Sequence, residues 1–262
     1  MTDYGPRVDL HVKVLDEAVV RRAKARGLDA LVYAPHFTRL PEIEATAERF
    51  SDEDLTVIPG REVFTGTWRS RKHVLGIGLC DPIPDFITLE AAIAELARQD
   101  AAILVPHPAF LTVSLSAADV RRFRDDIHAV ETFNPKHLPL HNRRARSIAR
   151  AVARPGFASS YAHLRGTVGE AWTTFPDHEA TAGDIVAAIK DGATRTTDRR
   201  RGTGHGAQRG LELAHLVYEN TVQKLDRVVL GGEEPTHPAN PVYGGRFVEA
   251  AVYPSRPSVR SP

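Results

Sequence analysis

The sequence predicts an α/β fold in which a parallel sheet is covered by helices. Three observations predict it. Short apolar runs alternate with helical patterns up to about residue 190. The runs are continuously apolar rather than alternating, as strands buried on both faces are. No stretch rich in Gly, Ser or Pro divides this region, so it reads as one domain.

The first element is VDLHVKV, an apolar run carrying a histidine. DEAVVRRAKARG follows as an amphipathic helix closed by Gly27, because glycine tolerates the left-handed turn at a helix end. DALVYAPH is the next strand. PEIEATAERF is a helix with proline in its first turn, where the missing N–H has no partner to lose. LTVIPGREVF and HVLGIGL are further strands, then the helix TLEAAIAELARQD and the strand AAILVPHPAF. The pattern repeats through SAADVRRFRDD, HAVETFN, LHNRRARSIARAV and GFASSYAHL, and GEAWTTF and GDIVAAIKDG complete it.

The style then changes. TRTTDRRRGTGHGAQRG is basic and glycine-rich, and GTGHG at 202–206 reads as a flexible turn. It follows no apolar strand and lacks the Lys-Ser/Thr ending of a phosphate loop. LELAHLVYENTVQKLDRVVL is a long helical pattern. The remainder reads as loop, with EEPTHP an exposed stretch that could act as a lid and the last eight residues disordered. The expected division is therefore 1–197 for the main domain and 198–262 for an extension of helix, loop and tail packed on it.

Composition narrows the function. A chain of 262 residues can bury a full core. A net charge of +1 argues against a general polyanion binder. Cys80 is the only cysteine, which excludes an intramolecular disulfide and a thiolate cage. MTDYGPRVDL lacks a basic region followed by an apolar core, and no apolar run reaches the ~18 residues of a membrane span. The expectation is a cytoplasmic protein without a membrane partner.

Placement matters more than number for the 12 histidines. His11, His36 and His107 each end an apolar run, Glu62 follows TVIPGR, and His163 follows GFASSYA; His73 begins HVLGIGL. The C-terminal ends of parallel strands are where ligands and catalytic groups gather. One such histidine alone is more often a satisfied core or loop residue. Five histidines and a glutamate at consecutive strand boundaries point to a divalent ion, Zn, Mn or Fe, with one or two bound.

In this order the motifs resemble the PHP family, the polymerase and histidinol phosphatase domains, from about residue 8 to 197. Asp9-Leu10-His11-Val12-Lys13 is similar to the family's Asp-Leu-His-x-His, and Ala34-Pro35-His36 to its Thr-Asp-His. Gly60-Arg61-Glu62-Val63, His73-Val74-Leu75-Gly76, Pro106-His107-Pro108, Glu131-Thr132-Phe133-Asn134 and Ser160-Tyr161-Ala162-His163 follow. TVGEAWTTF…DIVAAIKDG resembles the PHP-associated segment. The resemblance implies a distorted, TIM-barrel-like barrel of seven parallel strands and metal-dependent hydrolysis of a phosphate mono- or diester, for instance of a nucleotide or other small phosphorylated metabolite.

It also implies an altered metal centre. One ion of the family's three would use His11, residue 13, Glu62 and residue 161, and here two of these are Lys13 and Tyr161. A second would use Glu62, His73 and His107, all present. The third would use His36 and His163 with a further histidine that is missing, Asp16 being the one stand-in. Lys13 is then expected to pair with Glu62 or with a substrate phosphate and Arg61 to face the phosphate, with His36 beside them. The alternative is a catalytically degenerate barrel acting in RNA association or protein interaction. RNA binding would draw on HNRRARSIAR and TDRRRG, although Arg143, Arg144, Arg146 and Arg150 have the spacing of a solvated helix face. Trp68 is the aromatic candidate for stacking on a base, and Pro139 is expected to keep His137 and His141 apart. Oligomeric state is left open.

Overall fold

The computed structural model describes residues 5–67, 70–110, 113–218 and 235–252. Strands and helices alternate as the sequence predicts: β1 Arg7–Val12, α1 Glu17–Ala25, β2 Ala30–Tyr33, α2 Leu40–Phe50, β3 Thr56–Thr65, β4 Lys72–Ile77, α3 Leu89–Arg98 and β5 Ala102–Val105. They continue with α4 Ala117–Arg122, β6 Ala129–Phe133, α5 Pro139–Ala151, β7 Gly156–Ala158, β8 Ala171–Thr174, α6 Ala182–Lys190, β9 Thr196–Arg199 and α7 Thr203–Tyr218. Local chemistry sets the helix starts. Asp16 accepts a hydrogen bond from Val19 N–H at 3.0 Å, Thr88 accepts from Ala91 N–H at 3.2 Å, and Pro139 opens α5.

Among the described residues the sheet has nine strands in the order β7-β6-β5-β4-β3-β2-β1-β8-β9. This corrects the expectation of seven parallel strands. β1–β2–β3 and β5–β6–β7 pair parallel, whereas β3–β4, β4–β5, β1–β8 and β8–β9 pair antiparallel. The cause at β4 is the short link from Thr65, since a parallel return needs a crossover of a dozen residues. Gly66 makes the turn possible: its φ is +78° and an added Cβ would lie 2.4 Å from Ser70 O.

The sheet curls into a nearly closed barrel. Val12 and Ala162 form a parallel bridge, and Lys13 N–H donates to Ala162 O at 2.8 Å. Ala158 N–H donates to the Thr173 hydroxyl at 2.9 Å, and that hydroxyl donates back to Ala158 O at 3.0 Å. Buried Asp9 accepts from Ser160 N–H at 2.8 Å and Gly169 N–H at 2.9 Å, tying β1 to the chain on both sides of the closure. The barrel interior is packed by Val8, Leu10, Val32, Ile58, Leu75, Leu104 and Phe157, against which Ile185 and Ile189 of α6 close one end. Outside, α1 and α2 pack Val19, Ala23 and Ala47 against Val12 and Val57.

The extension is partly integral. Tyr243 and Phe247 are buried beside Ile83, Ile87 and Ile93. Thr88 N–H donates to Ala250 O at 3.0 Å, and Val252 N–H to Phe86 O at 2.9 Å. Thr236 and His237 are buried, so this part of EEPTHP is not the exposed loop expected. Thr203–Gly206 form the first turn of α7, which replaces the flexible turn expected at GTGHG. Residues 219–230 of the long helical pattern, Trp68, and the last eight residues lie outside the described residues. Arg143, Arg144, Arg146 and Arg150 are exposed on α5 opposite Ala145, Ile148 and Ala149, the solvated face their spacing indicates. No helix among the described residues is long and apolar enough to cross a membrane.

Candidate metal centre

Strand alternation decides who enters the barrel. On β3, Ile58 belongs to the interior and Val57 and Val63 to the helix side, so Glu62 and Phe64 point inward and Arg61 outward. On β4, His73 pairs with Phe64 and faces Glu62. On β1 simple alternation would turn His11 away from Leu10's side. The register shift between Asp9 and Val12 changes the phase, so Val12 goes to the helix side and His11 to the interior.

Glu62 is fully buried and is the hub of the cluster. Its Oε1 lies 3.0 Å from His107 Nε2 and 3.2 Å from His73 Nδ1. Its Oε2 meets the Lys13 ammonium, with His36 Nδ1 at 3.3 Å and His11 Nε2 at 3.6 Å. Lys13 also donates to Ala34 O at 2.6 Å. Burial raises the cost of an ionised Glu62, yet Lys13 and the imidazoles around it hold the carboxyl well below its usual range. Burial, reinforced by Lys13, pushes His11 down to about 3 and His36 well below its ordinary value. Burial lowers His107 as well. Neutral imidazole is the form that ligates metals.

Behind the hub, Glu131 accepts from His107 N–H at 2.6 Å, from the Ser159 hydroxyl at 2.5 Å and from Asn134 Nδ2 at 3.1 Å. Burial pushes its carboxyl up to about 7. His107 and Tyr161 both sit in the left-handed region, at φ +32° and +48°, so the backbone is held in a costly conformation where these side chains enter the site.

The sequence-predicted residues divide three ways. His11, Lys13, His36, Glu62, His73 and His107 converge on one carboxylate. His163 stands beside His36, their rings 6.2 Å apart, and its Nδ1 is 2.6 Å from the ammonium of Lys136, which also donates to Tyr161 O. Arg61 is corrected. It is fully buried, ion-paired to Asp85 at 2.6 Å and bonded to Glu62 O at 2.8 Å, so its guanidinium faces away from the pocket. Asp16 is likewise no ligand, being the cap of α1 and paired with Arg165 at 2.5 Å. The Tyr161 ring packs 4.7 Å from that of His11 and 4.9 Å from that of His107, filling that side of the site with a ring.

His137 and His141 come together despite Pro139, their rings 6.0 Å apart and both against Phe110. Proline starts α5 between them rather than separating them. Two residues went unnoticed in the sequence. Lys136 stands two positions after the Glu-Thr-Phe-Asn motif, and Arg71 two before His73, on the mouth side. Both are polar residues with little exposure, visible only once the fold buries them.

The donor set fits a divalent ion. Nitrogens of His36 and His73 and an oxygen of Glu62 lie within 4.8 Å of one another. Both nitrogens of His11, Nδ1 of His36 and Nε2 of His73 are buried without a hydrogen-bond partner. His107 makes the case sharpest. Its Nδ1 is 3.0 Å from Ser114 Oγ, whose own hydrogen goes to Phe110 O at 2.7 Å. The network therefore assigns the proton to Nδ1 and aims the Nε2 lone pair at Glu62. With that tautomer, Nε2 faces the Glu62 oxygen at 3.0 Å as a ligand-type nitrogen.

No curated protein matches the sequence. Among solved structures, PsfC from Pseudomonas syringae PB-5123 matches at 18% identity with a TM-score of 0.61, covering 80% of this chain and 98% of that one, and so shares the fold. A candidate metal-dependent phosphoesterase from Bifidobacterium adolescentis matches at 14% identity and TM-score 0.47, over 61% of this chain and 88% of that one. An amidohydrolase from Chromobacterium violaceum, with bound sulfate and no metal, matches at 16% and 0.49, over 62% and 89%. Residues 139–194, from α5 through α6, match the family model described as PHP-associated. That segment is similar to the PHP-associated family, and the motifs gathered around one carboxylate stand in the order of the PHP motifs they resemble.

Proposed function

We propose that the protein is a metal-dependent phosphoesterase that hydrolyses a phosphate mono- or diester of a small metabolite, with one divalent ion, Zn, Mn or Fe, held by Glu62, His73 and His107. The observation that carries this reading is the gathering of His107 Nε2 at 3.0 Å and His73 Nδ1 at 3.2 Å on one oxygen of a buried carboxylate. Three protein ligands leave positions open for water and substrate. His36, with a quarter of its side chain exposed, stands at the mouth as a further ligand or as the group that carries a proton to the leaving oxygen.

When bound, the ion would supply Lewis acidity, bringing water toward ionisation near neutral pH and stabilising phosphate charge. The chain supplies the rest. Glu131 holds the backbone of His107, and Ser114 fixes the His107 tautomer, so the donors are oriented in advance. Lys13 neutralises one Glu62 oxygen and leaves the other for the ion. The Tyr161 ring excludes water from the His11 side.

Elemental analysis tests this first. The purified wild type is expected to carry about one transition-metal ion per chain and Glu62→Gln none. With Mn or Zn added, hydrolysis of a generic phosphate ester is expected to fall about 100-fold or more in His107→Ala. Protein that stays empty after dialysis against Zn and Mn would overturn the reading and favour a barrel kept for binding.

A further inference from the structure

His137 and His141 stand on either side of Pro139, and α5 begins between them. Their imidazoles share one aromatic neighbour. The Phe110 ring stacks on that of His137 at 4.1 Å, with 28° between the planes, and meets His141 edge-on at 5.3 Å. Backbone contacts hold both residues in place: His137 N–H donates to Asn134 O at 3.1 Å and His141 N–H to Leu138 O at 2.9 Å. Asn142 locks the same turn, its Oδ1 accepting from Asn134 N–H at 3.0 Å and its Nδ2 donating to Asn134 O at 3.1 Å.

This scaffold leaves two polar atoms without a partner. His137 is only 7% exposed, and its Nε2 and the Nδ1 of His141 are both enclosed by protein with no hydrogen bond. A buried ring nitrogen without a partner is costly, and two on neighbouring rings point to one shared ligand. An ion about 2.1 Å from a ring nitrogen lies about 3.2 Å from the ring centroid, so one ion reaches two rings up to about 6.5 Å apart. Those of His137 and His141 are 6.0 Å apart. The surroundings select the ion. Among the described residues, the titratable groups acting on His137 are His107, His141 and Lys136, none of them a carboxylate. The start of α5 adds the positive end of a helix dipole. A hard cation such as Mg2+ needs oxygen ligands and gains nothing here to offset that repulsion. Cu2+ and Zn2+ bind imidazole itself, Cu2+ the more strongly.

We propose that His137 and His141 form a second metal site, separate from the Glu62 centre, that takes Cu2+ or Zn2+ through two imidazoles with water completing the coordination. With two ligands, no carboxylate and a positive setting, the site holds its ion weakly. It therefore fills when metal is supplied and is lost on purification. The inference does not rest on the phosphoesterase reading, because the two sites share no ligand.

The test uses the full chain carrying Glu62→Gln and His107→Ala together, which removes the first site. The protein is stripped with EDTA, desalted and titrated by calorimetry with Cu2+, Zn2+ and Mg2+. About one Cu2+ or Zn2+ per chain is expected, Cu2+ the tighter, with no binding of Mg2+. Bound copper is expected to show hyperfine coupling to two imidazole nitrogens in its paramagnetic resonance spectrum. Adding His137→Ala or His141→Ala is expected to weaken binding about tenfold or more. If the double variant does not fold by circular dichroism, wild type carries the same comparison, with this site as a second, weaker event that either substitution removes. Wild type that lacks the tight event but keeps the weaker one sinks the phosphoesterase reading alone. No Cu2+ or Zn2+ bound, Mg2+ bound equally well, or affinity unchanged by both His137→Ala and His141→Ala overturns the site.

Discussion

Lys13 is the residue on which the pocket turns. An ammonium placed against a buried carboxylate fixes a charge that would otherwise have to come from a bound cation. Removing it leaves Glu62 ionised and poorly compensated, which costs about 3–5 kcal/mol in a buried pair. Lys13→Met is therefore expected to melt well below wild type in EDTA. Added Zn or Mn is expected to raise its melting temperature more than that of wild type, because a ligand bound only to the folded form stabilises it by linkage. Equal metal-induced shifts in the two proteins would refute this compensation. The presence of Lys13 in a metal-type motif was plain in VDLHVKV. Glu62 was one of the two partners expected for it, beside a substrate phosphate, and the fold makes that pair across 49 positions of sequence.

At the level of elements, β1 does two jobs. Its irregularity turns His11 into the pocket, and Asp9 fastens it to the segment after β7 and to Gly169 ahead of β8. Burial raises the Asp9 carboxyl from 3.8 to about 6, so the folded form holds the proton more tightly than the unfolded chain does. The stability this gives is complete below about pH 3.8 and is lost as pH rises through 6. The difference is worth about 3 kcal/mol, and Asp9→Asn removes it. Melting temperature is expected to slope downward from pH 5 to 7.5 in wild type and less so in the variant. The variant should also be less stable at pH 5, since an amide nitrogen cannot accept from both N–H groups. Parallel slopes would count against the assignment. Element identity and order were legible in the sequence, from β1 to α6, because periodicity and caps are local. Strand direction at β4 was less so. Only the short link through Gly66 forces an antiparallel return, and the continuous apolar pattern of a buried strand carries no direction.

For the whole molecule, the C-terminal segment braces from outside the strand that carries Glu62. Asp85 accepts from Arg61 at 2.6 Å, from Phe64 N–H at 2.7 Å and from the Thr236 hydroxyl at 2.6 Å. These contacts grip β3 on either side of Glu62. Asp85→Asn would leave the Arg61 guanidinium buried without its counter-charge, a loss of about 3–5 kcal/mol. Thr236→Val, which removes a single neutral donor, is expected to cost about 1–2 kcal/mol. Denaturant titration ranks the two, and an order reversed from this would mean that Asp85 is not the hub.

The amino-acid sequence by itself determined the α/β class, the order of elements and a set of imidazoles and one glutamate at strand ends, because each depends on neighbours within a few positions. It also identified Lys13 and Tyr161 as departures from the motif. Tertiary structure decided which way each side chain faced. It curled the nine described strands into a nearly closed barrel around Glu62, turned Arg61 outward to Asp85 and set Lys136 beside His163. The physical reason is that pocket membership follows from strand phase, a one-residue register shift and contacts across the barrel closure. None of these is recorded in the local pattern of apolar and polar residues.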